Sequence, residues 1–314
     1  MKRLCIYCFY DKDGIVDDYV LVCLRAIREF FSEICVVVNG NLTKESGEKL
    51  KSVCNNLLLR DNKGFDAWAY KEALCSYGFD YVAENLDEVL LSNFSCFAPI
   101  GSFKPMFDKM DKTCDFWGHC RSYPSAGQMC GGQPIPEHLQ SYFLLFRKHI
   151  LQSDCWKGFW KTLKPINSYD DAILHYELRL TRYFEERGFV SASYTDNRRK
   201  VGCNRPLFDP YDMVVVDHSP FIKRKSFFAK SKTWEFYAPY SRYNEVLRYI
   251  SDHNLYDLRL IFSNLLRTGD FVFPKLMTWY RIKYLVLGKI LKLKRYKIKM
   301  KALPDYRFIK QCIK

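Results

Sequence analysis

Apolar positions in the first third of the chain fall into short continuous runs, separated by stretches with helical spacing. The runs Arg3–Tyr10, Ile34–Val38, Asn56–Arg60 and Leu86–Ser92 are rich in β-branched residues or leucine. The first three stop at the turn residues Asp11-Lys12-Asp13-Gly14, Asn39-Gly40-Asn41 and Asp61-Asn62-Lys63-Gly64. Runs of that length bounded by turn chemistry predict buried strands. Between them, Val16–Phe31, Thr43–Val53 and Phe65–Tyr77 repeat apolar residues every three or four positions and predict helices. Alternation at this pitch predicts a doubly wound parallel sheet with short connections.

The pattern then becomes less regular. Asp115–His119 reads as a short strand, Gln140–Phe146 as strand-like and Asp154–Leu163 as a helix. Tyr123–Glu137 is a loop rich in Gly, Pro and Ser, long enough for a functional flap. Ser168–Arg187 is the clearest helix: Ser168 suits the N-cap, Asp170 and Asp171 the first turn, and Gly188 stops it. Phe189–Tyr194 returns as a strand. Beyond Asn197-Arg198-Arg199, Met213–Val216 reads as a strand, and Ser241–Ile250, Leu255–Leu266 and Leu276–Leu291 as helices. The implied organisation is an α/β domain over residues 1–200, a helical extension over 201–270 and a tail over 271–314.

Composition narrows the class. Apolar residues make up 48% and aromatics 17% of 314 residues, a globular balance. No window of about 20 residues is free of charge, so no transmembrane helix is expected. The apolar part of the N-terminus is too short for a signal peptide. The 13 cysteines are odd in number and scattered. Cys5 and Cys8 would point to opposite faces of the first strand, so the expectation is free, buried thiols in a reducing cytosol. From Phe271 onward, 13 Lys and Arg face only Asp305, so this tail carries +12 of the net +14. The nearly neutral remainder holds no nucleic-acid-binding module, which ranks a nucleic-acid partner last.

Two stretches can carry chemistry. The run Val89-Leu90-Leu91-Ser92 breaks into Asn93-Phe94-Ser95 ahead of Pro99. Strand ends in α/β sheets are where ligands bind, and Asn93 and Ser95 would offer an amide and a hydroxyl there. The plain alternative is an ordinary strand-to-loop turn. Leu59–Asp66 links a strand to a helix, whose N-terminal amides favour an anion beside Arg60, Asn62 and Lys63. The stretch is neither GxGxxG nor GxxxxGK[ST], so dinucleotide and P-loop readings do not apply. Its plain alternative is a turn with Asp66 as a first-turn carboxylate. His119, His138 and His175 lack metal-ligand spacing and receive no role. Trp117 suits sugar stacking or core packing equally.

The chain resembles the rhamnan synthesis F family, bacterial glycosyltransferases that build rhamnose-containing cell-surface polysaccharides. The matching pieces are Asn62–Asp66, Asn93–Pro99, Asp115–Gly118, His138–Phe143, Tyr176–Leu178 and Ser219–Arg224, in the family's order, covering residues 1 to about 228. The resemblance implies a GT-A-like (Rossmann-like) nucleotide-sugar-binding domain with a mostly helical C-terminal extension. It implies a donor site at Arg60, Asn62, Lys63, Asp66, Asn93 and Ser95. Asp115, Trp117 and Asp171 would stand on the acceptor side. Where the family usually carries an Asp, this chain has Phe94. Divalent cations want carboxylate oxygens, so Mg or Mn dependence is not expected.

Tyr176–Phe189 resembles the acidic motif of inverting GT-A transferases, with Glu177 ahead of Leu180 and Gly188. Glu177 would be the general base, Asp171 and Asp115 the reserves, and an exposed carboxylate on an amphipathic helix the plain alternative. The implied donor is dTDP-β-L-rhamnose and the implied acceptor a lipid-linked saccharide. The basic tail would hold the protein on an anionic membrane, at the cytoplasmic face. The rival within the same fold is a sugar-nucleotide-binding subunit that has lost turnover.

Overall fold

The leucine- and valine-rich runs of the first hundred residues form the centre of one sheet in the computed structural model, which describes residues 1–110, 113–195, 198, 202, 204–227, 242–269, 286, 308 and 311. The chain runs β1 (Arg3–Phe9), α1 (Asp18–Arg28), β2 (Glu33–Asn39), α2 (Lys44–Lys51), β3 (Asn56–Arg60), α3 (Phe65–Tyr77), α4 (Phe79–Asn85) and β4 (Glu88–Asn93). These four strands are parallel in the order β3-β2-β1-β4, each crossover carried by helix. Thr43 caps α2 by accepting from the Ser46 amide, so that helix begins where a β-branched hydroxyl residue favours a cap over a helix interior.

Beyond β4 the sheet is mixed, which corrects the all-parallel expectation. After β5 (Cys96–Phe97) and α5 (Lys104–Lys109) come β6 (Phe116–Ser122), a hairpin of β7 (Met129–Cys130) and β8 (Gln133–Pro134), β9 (His138–Leu139) and β10 (Phe143–Arg147). β10 lies between β4 and β6 and runs against both. The chain returns from β6 through the hairpin without a crossover helix, so the next strand must run backwards. Helices α6 (Lys148–Leu151), α7 (Asp154–Lys161), α8 (Tyr169–Ala172) and α9 (Leu178–Glu185) follow, then β11 (Ser191–Thr195), parallel to β6 at the sheet's edge. Between α8 and α9, Ile173–Glu177 is a π-helical turn, so Tyr169–Glu185 forms one long helical segment with a bulge in it.

One face of the sheet is covered by α3, whose Ala67, Ala69 and Ala73 let its backbone approach closely and whose Tyr70 and Leu74 fill the space. Aromatic residues fill the neighbouring volume. Phe116 and Phe146 stack at 5.7 Å, and Trp156, Phe159, Trp160, Tyr176 and Phe184 pack beside them. Among the described cysteines no disulfide forms, as expected; Cys5, Cys8, Cys23, Cys35, Cys96, Cys114 and Cys120 are buried, whereas Cys54, Cys130 and Cys155 are half-buried and Cys75 is exposed. Burial pushes the Cys35 thiol up to about 12, so it stays protonated and inert.

The chain divides into two compact units, Met1–Phe94 with Phe103–Cys203, and Ser95–Ser102 with the chain from Asn204 onward. In the second, Ile222–Lys223 pairs antiparallel with β5, and Tyr243–Asp252 and Leu258–Arg267 are helices. Asp212–Val216 is a π-helical turn and not the expected strand. Burial of Met213 and Val214 overrides the β preference of the valine run. The tail helix expected over Leu276–Leu291 lies, Val286 apart, outside the described residues. Among the described residues no helix is long and apolar enough to cross a membrane.

Candidate active site

β1 to β4, β6 and β11 all end at one edge of the sheet, where β10 begins. The chain leaves β1 toward β2 on one side and later places β4 on the other. That reversal lies beyond the carboxyl ends of β1 and β4, the place where α/β sheets carry their ligand crevice.

The turn into α3 sets one wall. Gly64 adopts φ 72° and Phe65, a residue with a Cβ, adopts φ 55°. A Cβ on Gly64 would run into the Trp68 ring. Asn39, at the end of β2, holds this backbone: its Nδ2 donates to the Phe65 carbonyl at 3.0 Å, and its Oδ1 accepts from Arg60 at 2.7 Å. Arg60 also makes a two-pronged pair with Glu72, at 2.8 and 2.7 Å. Its guanidinium, expected on the donor, is therefore engaged by Asn39 and Glu72 in this structure. Asn62 is exposed, and Lys63 pairs with Asp61 at 3.1 Å. Arg60 and Lys63 line a cleft of about 410 Å³ with Trp68, Glu72 and Pro165.

This turn delivers Asp66 to the crevice. Asn93, the last residue of β4, donates through Nδ2 to Asp66 Oδ2 at 2.8 Å, and the Ala67 amide donates to Oδ1 at 3.0 Å. Burial, reinforced by the charge of Glu177, pushes the Asp66 carboxyl above the usual range, against the pull of the Asn93 amide. The charge of Glu177 thus reaches Asp66. Cys8 and two buried tyrosines, Tyr70 and Tyr176, lie within the field of Asp66; the two rings are 6.1 Å apart, and neither hydroxyl has a hydrogen-bond partner among the described residues.

Glu177 closes the π-helical turn. Its side chain is 22% exposed, so it is neither solvated nor entombed. Ser141, just before β10, donates from its hydroxyl to Glu177 Oε2, and the Ser141 amide lies 3.4 Å from the same oxygen. His138 Nε2 lies 3.6 Å from Glu177 Oε1. Residues that open such bulges often do so at functional sites, because the extra residue re-aims a side chain. The hairpin over Tyr123–Glu137 runs alongside: a Cβ on Gly131 would strike Leu174 of the same turn.

Phe94, Ser95, Asp115, Trp117 and Asp171 make other contacts. Phe94 packs edge-on against Phe9 and Tyr10, at 5.8 and 6.4 Å, while its carbonyl accepts from Tyr19 at 3.1 Å. Ser95 opens the Ser95–Ser102 segment of the second unit, where its carbonyl accepts from the Arg224 amide at 2.9 Å. Asp115 precedes β6 and so stands at the amino edge, away from the crevice. There it meets His149 at 2.5 Å and the Val190 amide at 2.8 Å. Trp117 is buried against Phe107 and Phe143, both at 5.6 Å. Asp171 accepts from the Asn167 and Ser168 amides in a capping box, which holds its carboxyl below the usual range. Asp115, Trp117 and Asp171 are thus engaged within the protein, while the charge of Glu177 reaches Asp66. Sequence reasoning missed Asn39, Ser141 and His138. The last two lie in a matched stretch, but their partner is more than 35 residues away.

The first unit is thus built on a mixed α/β sheet, with Asp66 and Asn93 at its switch point. The family profile described as rhamnan synthesis protein F matches residues 34–302, and the chain belongs to that family. Among curated proteins it is 22% identical to an uncharacterized protein, y4gN, of Sinorhizobium fredii over 61% of this chain and 48% of that one. It is 24% identical to virulence protein VirA of Vibrio anguillarum over 60% and 57%. The chain thus matches about half the length of these relatives. A solved cytidylyltransferase from Leptospira borgpetersenii superposes with TM-score 0.38 and 12% identity, covering 64% of this chain and 79% of that one.

Proposed function

We propose that the chain is an inverting glycosyltransferase of polysaccharide synthesis with a GT-A-like donor domain. The sugar is L-rhamnose carried by dTDP-β-L-rhamnose, and the acceptor a hydroxyl of a lipid-linked saccharide. The observation that carries the reading is Glu177, partly exposed, held by Ser141, and in electrostatic contact with Asp66 at the switch-point crevice. Membership of a family described by rhamnan synthesis supports the sugar.

In this reading the acceptor oxygen attacks the anomeric carbon as its proton passes to the Glu177 carboxylate. The bond from that carbon to the diphosphate oxygen breaks, and the electron pair leaves on the nucleotide. Attack opposite the leaving group turns the β donor into an α linkage. Asp66 and Asn93 line the donor side, and Lys63 is the exposed cation nearest the α3 N-terminus.

The donor set does not fit a divalent metal. Phe94 supplies no oxygen where the family carries a carboxylate, and the Asp66 oxygens accept from the Asn93 side chain and the Ala67 amide. Among the described residues no three His, Cys, Asp or Glu side chains converge. The same Phe94 favours the second reading, a subunit that binds nucleotide sugar without turnover.

A donor screen with purified protein, with and without EDTA and with product mass as readout, tests both readings. Transfer that survives EDTA is expected. Loss in EDTA restored by Mg²⁺ or Mn²⁺ refutes metal independence. Glu177→Gln is expected to lower the transfer rate about 10²–10⁴-fold while donor binding persists; transfer at the wild-type rate removes Glu177 as the base.

A further inference from the structure

We propose that the cleft between α9 and the β7–β8 hairpin binds an organic phosphate ester, held by Lys164, Arg179 and Arg187. The cleft encloses about 670 Å³ and lies wholly within the first unit. That volume is in the range of small-molecule sites. Its cations come from two places: Lys164 from the segment after α7, and Arg179, Arg182 and Arg187 from α9 and its end. Glu186 is the one carboxylate in the lining. It pairs with Arg182 at 2.6 Å, and those two charges cancel. Lys164, Arg179 and Arg187 have no carboxylate partner among the described residues.

The way these cations are gathered calls for an anion. Arg179 and Arg187 both lie over the Tyr183 ring, their guanidinium carbons 5.1 and 3.7 Å from its centre. Two like charges sharing one ring repel each other. Burial lowers the Arg179 guanidinium below its usual pKa; Tyr183 opposes that shift and the Arg187 charge adds to it. Both side chains are nonetheless anchored, and by neutral groups. Arg179 donates to the Thr162 carbonyl at 3.3 Å and to its hydroxyl at 2.7 Å, and Arg187 donates to the Tyr183 carbonyl at 2.8 Å. Anchored groups lose little freedom when a ligand arrives. The helix macrodipole accounts for cations in the last turn, Arg182 and Arg187. It does not account for Arg179, in the middle of the Tyr169–Glu185 helical segment, or for Lys164, which is off the helix. Guanidinium forks match phosphate oxygens, and a lysine adds a point charge. Three uncompensated cations suit a doubly charged phosphate better than a single carboxylate. The lining also includes Pro134, Pro136, Leu174 and Leu178, apolar surface for the carbon part of an ester. Glu177 turns to Ser141 and does not line this cleft, so the inference stands without the reading of Glu177 as the base.

The test is calorimetric titration of the full-length protein at low salt with phenyl phosphate, inorganic phosphate and phosphatidylglycerol vesicles. The variants are Lys164→Gln and Arg187→Gln, both at exposed positions with no ion pair to break, and Lys161→Gln, an exposed cation at the end of α7 outside the lining. Each removes one positive charge and leaves the basic tail unchanged. The expected result is that phenyl phosphate binds more tightly than inorganic phosphate. Lys164→Gln and Arg187→Gln should each weaken it about tenfold, the scale of one charge-assisted contact, while Lys161→Gln binds like wild type. Thermal melts verify that all three fold. Phenyl phosphate should also slow amide hydrogen exchange in residues 129–136 and 178–187. Equal loss in Lys161→Gln reduces the effect to net charge and overturns the site. So does an exchange pattern unchanged in both segments, which puts the ligand elsewhere, and so does a failure of phenyl phosphate to bind or to outbind inorganic phosphate. If Lys164→Gln and Arg187→Gln weaken only the binding of vesicles, the cleft is a membrane contact and the proposal fails.

Discussion

Asp66 is held at a cost. Burial and the neighbouring Glu177 charge raise its affinity for a proton in the folded state, above the ordinary carboxylate value of about 3.9. The folded protein therefore binds more protons than the unfolded chain as pH rises from about 3.9 through the raised value. Stability falls across that window, and the loss is complete above the folded-state pKa. Asp66→Asn keeps the shape and the contact with Asn93 but removes the charge. Its melting temperature is expected to exceed that of the wild type at pH 7, with the difference shrinking toward pH 4. A wild-type advantage at pH 7 in matched thermal melts refutes the account. Residues of this kind were only partly legible beforehand. Asp66 and Asn93 stand beside turn signals at the ends of local elements, so pattern reading finds them. Arg60 looked free for a ligand because its two partners, Asn39 and Glu72, lie 21 and 12 positions away in the chain. Glu177 was nominated by its motif, whereas its neighbours Ser141 and His138 become visible only when β9 and β10 are placed beside the helix.

Most elements of the first hundred residues were legible because each buries a simple periodic pattern. The bounds of β3 and α3 are those the sequence predicts, the ends of β1, β2, β4, α1 and α2 differ by a few residues, and α4 and β5 were not predicted. Three features were not legible, each for a physical reason. A strand's apolar pattern has no direction, so the antiparallel sense of β10 cannot be read from Phe143–Arg147. A π-turn keeps nearly the same amphipathic face as an α-helix, so Ile173–Glu177 looks regular. The Met213–Val216 run has strand chemistry but helical backbone, since its burial and not its propensity decides. The α3 start offers the sharpest test at this scale. Gly64 sits at φ 72°, a left-handed conformation that costs an L side chain about 1–2 kcal/mol, and a Cβ there also displaces the Trp68 ring. Gly64→Ala is expected to lower unfolding free energy by at least about 1–2 kcal/mol in urea titration. Because this turn also aims Asp66, donor affinity should fall with it. An unchanged urea midpoint removes the strain argument.

Over the whole molecule the charge is divided as sharply as the fold. Nearly all of the net +14 belongs to the last 44 residues, where 13 cations meet a single Asp305. The preceding chain, with the crevice and its carboxylates, is close to neutral. A chain that concentrates its cations beside the apolar run Leu276–Leu291 matches the chemistry of an interfacial anchor, which needs both an apolar face and a basic flank. Arg281, Lys283 and Lys289 interrupt the run, so it suits the headgroup region better than the hydrocarbon core. Each Lys or Arg near an anionic leaflet contributes about 1 kcal/mol, and the attraction decays within a Debye length of about 8–10 Å. Several such residues outweigh the entropy of confining the tail, and salt should weaken the hold. The expected outcome is that full-length protein floats with anionic liposomes at low salt, binds less at 0.5 M salt and ignores neutral liposomes. A truncation before Phe273 should remain in the soluble fraction while keeping its melting temperature. Equal flotation of the truncated protein assigns membrane binding to the body and refutes the anchor, as does a full-length protein that ignores anionic lipid at low salt. Because an acceptor carried on lipid is confined to the same plane, truncation should also reduce transfer to a lipid-linked acceptor in vesicles. Transfer to a short soluble saccharide should be unaffected, which separates loss of location from loss of catalysis.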